Sequence, residues 1–224
     1  PDGIVEENNN PTLQRANSLK RIELSYDEHF NAIKDADDDD FIMLSDNDEI
    51  PNLNSEDFKK NKNDIVIFNQ LFFYFKFNLL YDRMLWPGTK GCRKKNLKSF
   101  SWLRNIKFKN YPIWRIDTYF SNTKYSNLNI INDGGWHFTN LKSPEDMFEK
   151  FMNFGHHDEF KLSGITVDKI RDKISKREMF YDHFADKSSK NKWNSDYKLK
   201  KIDTDLLPRY LASNREKYLE WFDI

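Results

Sequence analysis

A single cysteine, Cys92, excludes an internal disulfide framework and a cysteine-based zinc site, and it fits a reducing compartment. Charge of one sign is lacking too. The 36 basic residues balance 36 acidic ones, so no global field recruits nucleic acid. Long apolar runs are missing: the greasiest stretch, from Ile65 to Leu80, is interrupted by Asn69, Gln70, Lys76 and Asn78. A bilayer span needs about 20 consecutive apolar residues, so no transmembrane segment is expected. No Gly-x-Ser-x-Gly elbow, Walker A loop or Gly-x-Gly-x-x-Gly fingerprint occurs, which weighs against serine hydrolases, P-loop NTPases and typical dinucleotide-binding domains. The helical His-Glu-x-x-His spacing of zincins is absent as well. No signal peptide is visible; the chain starts at Pro1 rather than Met, and a preceding part of the natural protein is expected to be missing.

What is present is aromatic. Phe, Tyr and Trp make up 16% of the chain, enough to build a core despite 32% charged residues, and 224 residues suit one domain of ordinary size. The spacing predicts a helix over Thr12 to Lys34, a short buried strand at Phe41–Leu44, and strands at Ile65–Phe68 and Leu71–Leu79. Trp86-Pro87-Gly88-Thr89-Lys90-Gly91 reads as a turn or loop, followed by a basic patch of Lys90, Arg93, Lys94, Lys95, Lys98 and Arg104 that is either solvated surface or an anion site. Ser143-Pro144-Glu145-Asp146 is a helix start, with Ser as cap, Pro at the first helical position and acids in the first turn. Thr166 opens another helix, and a last one is expected from Leu206 to Phe222. Strands early and helices late point to one α/β domain with a helical tail.

Chemistry is concentrated after the first strand. Phe41-Ile42-Met43-Leu44 ends in Ser45-Asp46-Asn47-Asp48-Glu49-Ile50-Pro51. In open α/β sheets ligands bind just beyond the carboxyl ends of the strands. An Asp-x-Asp there offers oxygen ligands to Mg²⁺ or Mn²⁺, whose remaining positions suit substrate phosphates. In extended backbone, residues two apart share a face, so both carboxylates could reach one ion. The alternative is a solvated acidic turn. Asp35, Asp37 and Asp39 have the alternate spacing of a calcium loop, but its sixth position is Asp40 instead of Gly, and a strand begins inside it.

Asn132-Asp133-Gly134-Gly135 breaks the chain before Trp136-His137-Phe138, and the glycines permit either close backbone approach to a ligand or a conformation closed to other residues. His137 is either a packing histidine or a group that completes a metal shell or meets a phosphate. His156-His157-Asp158-Glu159 is a second polar cluster or simply a helix end after Gly155. Cys92 has cations nearby that could lower its pKa, but no partner His to make it a nucleophile.

Taken together these segments resemble glycosyltransferase family 17, the family of the β-1,4-mannosyl-glycoprotein 4-β-N-acetylglucosaminyltransferases. The matching pieces are Gln14-Arg15-Ala16-Asn17, Ser45-Asp46-Asn47-Asp48-Glu49-Ile50-Pro51, Trp86-Pro87-Gly88-Thr89-Lys90, Gly135-Trp136-His137-Phe138-Thr139, His157-Asp158-Glu159-Phe160 and Leu207-Pro208-Arg209-Tyr210, in the family's order. Lys142-Ser143-Pro144 stands where the family usually shows a Gly-Gly.

The resemblance implies a GT-A-like nucleotide-sugar-binding domain, N-terminally incomplete, with C-terminal helices. It further implies a UDP-sugar donor, UDP-GlcNAc in the animal enzymes, transfer with inversion, and a glycan or glycoprotein acceptor. Animal relatives act in the Golgi behind a membrane anchor; this chain is expected to be cytoplasmic or membrane-peripheral. On this reading Asp46 and Asp48, with His137 as a third ligand, hold Mn²⁺ (or Mg²⁺). Glu49 is the first candidate base, ahead of Asp133 and Glu159. Arg15, Asn17, Asn47, Arg104 and Trp136 are donor contacts. Two alternatives use the same residues differently: a metal-dependent phosphoester hydrolase, and a non-catalytic carbohydrate-binding module.

Overall fold

A computed structural model describes residues 11–153, 157–185 and 192–224. The elements run α1 (Pro11–Ala32), β1 (Phe41–Leu44), β2 (Glu49–Pro51), α2 (Glu56–Lys59), β3 (Ile65–Tyr74), β4 (Leu79–Leu80), β5 (Trp86–Arg93) and α3 (Phe100–Asn105). They continue with α4 (Ile116–Tyr119), β6 (Leu128–Ile131), β7 (Gly135–Thr139), α5 (Pro144–Asn153), α6 (His157–Ser163), α7 (Val167–Ser175), β8 (Lys200–Lys201) and α8 (Arg209–Ser213). The chain is thus mixed α/β, and it packs as two compact units, one of Ile22–Phe72 and Met84–His137, the other of Pro1–Arg21, Phe73–Arg83 and Phe138–Ile224.

In the first unit β3 is the organising strand. It pairs antiparallel with β5 on one side and parallel with β6 on the other. Alternation along β3 sends Ile65 and Ile67 into a cluster with Cys92, Leu103, Ile106 and Leu128, and Val66 and Phe68 into a second with Ile131. A strand buried on both faces reads as a continuous apolar run, and Ile65–Phe68 does. Asn69 and Gln70 break that run without ending the strand, which shifts register against β5 between Ile67 and Asn69. One strand from Ile65 to Tyr74 therefore replaces the two expected.

β1 lies where expected but not as expected: it pairs antiparallel with β5, Phe41 opposite Arg93 and Leu44 opposite Lys90, and only Ile42 is buried. The parallel-sheet rule for ligand position does not govern its end. The Trp86–Gly91 segment is no loop but most of β5. Its glycines serve close packing, since a Cβ on Gly91 would lie 2.4 Å from the Phe41 ring. Cys92 is fully buried in this sheet, and desolvation pushes its thiol up to about 11, so the neighbouring cations in sequence do not activate it.

The second unit is aromatic throughout. Phe73 stacks on Phe138 at 5.0 Å, and Phe151 meets Phe160, Phe180 and Trp193 within 5.5 Å. Its helix starts follow the sequence: Ser143 Oγ accepts the Asp146 amide at 3.1 Å and Thr166 Oγ1 that of Lys169 at 3.3 Å. Met147 and Phe151 form the buried face of α5, and Ile170 that of α7. The expected helix from Leu206 to Phe222 is instead three short pieces, α8 between 3₁₀ turns at Thr204–Leu206 and Arg215–Trp221, because Asn214 (φ −121°) and Tyr218 (φ −129°) leave helical geometry. Among the described residues no helix is long and apolar enough to cross a membrane.

Candidate functional site

The residues singled out after β1 form a turn, not an extended segment. The Glu49 amide donates to the Asp46 carbonyl at 3.1 Å, closing Asp46-Asn47-Asp48-Glu49 into a β-turn that feeds β2. The two aspartates therefore do not share a strand face. Asp46 accepts from Arg104 Nη1 on α3 at 2.6 Å, while Asp48 Oδ2 lies 3.3 Å from His137 Nε2 on β7. Asn47, at the tip, is exposed.

Glu49 turns inward. Its Oε1 accepts Trp86 Nε1–H at 2.9 Å, and its Oε2 accepts the Asp46 amide at 3.2 Å and the Thr89 hydroxyl at 3.4 Å. Burial raises its pKa above the ordinary carboxylate value, against the lowering effect of the Trp86 and Asp46 hydrogen bonds. Thr89, fully buried on β5, also bonds Ser45 Oγ at 2.7 Å and Gln70 Nε2 at 3.4 Å. The His137 ring stacks on Trp86 at 4.5 Å and on Phe72 at 4.9 Å. Its Nδ1 is buried with no hydrogen-bond partner among the described residues.

An open cleft of about 170 Å³ borders this network, lined by Asp46, Glu49, Trp86, Gly88, Lys90 and Arg104 among others. Pockets that enclose a whole drug-sized ligand run roughly 300–1,000 Å³, so this open cleft would contact only part of a larger one. Lys90 Nζ reaches the backbone carbonyls of Arg104 and Ile106, the latter at 2.8 Å. Desolvation, reinforced by the Arg104 charge, pushes its amine down to about 8.

Other expected site residues lie elsewhere. Asp133, exposed, accepts from Asn52 Nδ2 at 2.8 Å. Strand alternation puts Trp136, opposite Ile50, on the other face of β7 from His137. Asn17 is buried within α1, and Glu159 on α6 pairs with Lys192; both belong to the second unit. The side chains of Arg15, His157 and Asp158, and all of Gly155 and His156, lie outside the described residues.

The glycines at the start of β7 are required by close packing. A Cβ on Gly134 would sit 2.3 Å from the Asn69 backbone nitrogen, and one on Gly135, at φ +106°, 2.2 Å from the Ile50 carbonyl oxygen. Strand neighbours occupy the space a side chain would need, so close backbone packing within the sheet accounts for both glycines. Gln70 is the site residue that the sequence did not mark; Thr89 stood only in a resembling segment, and Lys90 in that segment and in the basic patch read as solvated surface or an anion site. The signal for Gln70 was a polar pair inside an apolar strand; a buried polar side chain in a sheet centre needs a partner, and Gln70 finds Thr89.

Among the described residues no group of three or more His, Cys, Asp or Glu is poised to hold a metal ion. Mg²⁺ at phosphate substrates takes one or two protein carboxylates and fills its shell with phosphate oxygens and water. Asp46 and Asp48 are two carboxylates of that kind, one held by Arg104 and the other beside His137, and they form no closed cage among the described residues. Comparison of the chain with protein-family models, with curated proteins and with solved structures finds no match.

Proposed function

We propose that this protein is a metal-dependent inverting glycosyltransferase that moves a sugar, GlcNAc from UDP-GlcNAc, to a glycan hydroxyl, on a GT-A-like nucleotide-sugar-binding domain. The observation that carries the reading is convergence. Three of the segments that resemble glycosyltransferase family 17 lie far apart in sequence, yet Glu49, Trp86, Thr89 and His137 from them contact one another beside an open cleft.

In this reading Glu49 takes the proton from the acceptor hydroxyl as that oxygen attacks the anomeric carbon and the bond to the diphosphate breaks on the opposite face. Its raised pKa makes it a stronger base than a solvated carboxylate, and Trp86 and Thr89 fix its orientation. Arg104 and Lys90 line the cleft as cations for the departing diphosphate. Asp46 and Asp48 would hold Mn²⁺ or Mg²⁺, which when bound supplies charge neutralisation at the leaving group. A hydrolase acting on simple phosphoesters would want more converging His and Asp ligands than the described residues offer here, whereas a nucleotide diphosphate would bring oxygens of its own.

The test is calorimetric titration with a panel of nucleotide sugars, with and without Mn²⁺, on the wild-type chain and on Asp46→Ala and Asp48→Ala. UDP-GlcNAc is expected to bind only with Mn²⁺, and each substitution to abolish that binding. The fold should survive, because the half-exposed Asp46–Arg104 pair contributes only about 0–1 kcal/mol. Transfer at full rate in both variants would end the metal assignment.

A further inference from the structure

Among the described residues, the segment between α3 and β6 carries the densest run of exposed large apolar side chains. Ile113, Trp114, Ile116, Tyr119 and Phe120 are each at least 70% exposed, Phe120 reaching 86%. Single exposed apolar side chains are ordinary; five large ones within eight consecutive positions are not. The lobe is nevertheless held at its base. The Lys107 amide donates to the Thr123 carbonyl at 2.8 Å, and Asn110 bridges Tyr125. Inside it, Thr118 is buried and donates to the Arg115 carbonyl at 2.7 Å, and the Tyr119 hydroxyl donates to that of Ile113 at 3.2 Å. The apolar groups are thus displayed by a tied loop.

Charge surrounds them asymmetrically. Lys107, Lys109, Arg115 and Lys124 stand against one carboxylate, Asp117. Asp117 takes Arg115 at 2.7 Å and Lys124 at 2.8 Å. Lys107 and Lys109 have no carboxylate partner among the described residues. Lys109, Arg115 and Lys124 also gather over the Tyr111 ring at 5.2 to 5.9 Å, so the cations collect at the neck, below the apolar tip.

We infer that this lobe is a membrane-docking element: its tip enters the headgroup–acyl boundary of a bilayer while the basic neck meets anionic lipid phosphates. A protein groove covers one face of a short helix. In α4, by contrast, Ile116 and Tyr119 are open, with Ile113, Trp114 and Phe120 open on either side, and only Thr118 is turned inward. An apolar medium that surrounds the tip satisfies all of them together. Trp and Tyr are the side chains that favour the interface, and lysines reach from such a site to the phosphates. The inference stands independently of the transferase reading.

The test is co-sedimentation of the full 224-residue chain with vesicles of phosphatidylcholine alone and of phosphatidylcholine with phosphatidylserine. The chain should pellet with the anionic vesicles, and less so in high salt. Trp114→Ser with Phe120→Ser should reduce partitioning at least about tenfold. Lys107→Gln with Lys109→Gln should remove roughly fivefold per lysine, selectively with anionic vesicles. Unfolding midpoints should be unchanged, since these side chains pack against little. Absence of binding to both vesicle types overturns the inference, as does binding that ignores all four substitutions. A wild-type dimer that Trp114→Ser with Phe120→Ser converts to monomer, without lipid binding, would overturn it in favour of a second copy as the occupant.

Discussion

Replacing Glu49 with Gln isolates the price of its buried charge. The carboxylate faces three donors, Trp86 Nε1–H, the Asp46 amide and the Thr89 hydroxyl. At acid pH the wild-type group is neutral, and an amide of the same shape differs from it by roughly one ordinary hydrogen bond, about 0.5–1.5 kcal/mol. As pH rises the two proteins diverge. The folded-state pKa of Glu49 lies above its unfolded value, so its contribution to stability is complete below the unfolded pKa and is lost as pH climbs through the folded one. Glu49→Gln carries no such loss. In urea titrations followed by tryptophan fluorescence from about pH 4 to 7, the variant should start slightly less stable, then match or overtake the wild type. On the proposed transferase reading, the transfer rate in the same series should fall about 10²–10⁴-fold at neutral pH, the usual reach of a general base. A stability gap that widens against the variant with rising pH would mean the carboxylate prefers to be ionised in the fold. Burial would then not govern the titration of Glu49, whatever the effect on rate.

Gly135→Ala should cost at least about 3 kcal/mol in chemical denaturation, since φ +106° and an Ile50 carbonyl 2.2 Å from the new Cβ act together. Gly164→Ala, at φ +65° with nothing within 4 Å, should cost only about 1–2 kcal/mol; equal losses would remove the steric explanation. Lys90, with its amine held down to about 8, should be acylated with a rate that titrates near that pH while exposed lysines titrate nearer 10; mass-spectrometric mapping of the adducts decides it. Trp86→Phe keeps a ring against His137 but removes a donor that lowers the Glu49 pKa. On the proposed transferase reading, the acidic limb of the transfer profile should therefore move to higher pH, and a move to lower pH would show that Trp86 does not stabilise the ionised form.

Local chemistry made some of this legible in sequence. Ser143 and Thr166 announced their helices because a hydroxyl that caps an amide needs only three residues of context. Phe41–Leu44 was readable as a strand, but its partner and exposure were not, since those depend on β5. β5 itself was hidden by Pro87, Gly88 and Gly91, which look like turn residues. Their reason is tertiary: a Cβ on Gly88 would lie 2.0 Å from Gln70 Oε1. The same holds for the Asp-x-Asp pair. Spacing located the residues but could not tell an extended segment from a turn, and the Asp46–Glu49 hydrogen bond sends the two carboxylates to different partners. Leu206–Phe222 had helical periodicity, yet backbone departures at Asn214 and Tyr218 cut it into single turns.

Cys92 has a practical consequence. The sole thiol of the chain is enclosed by Ile65, Ile67, Leu103, Ile106 and Leu128, and its proton is held up to about 11. A maleimide or disulfide reagent can therefore reach it only when that cluster opens. The protein carries its own clock for breathing of the unit that holds Glu49 and the cleft, while the other unit, which has no cysteine, stays silent.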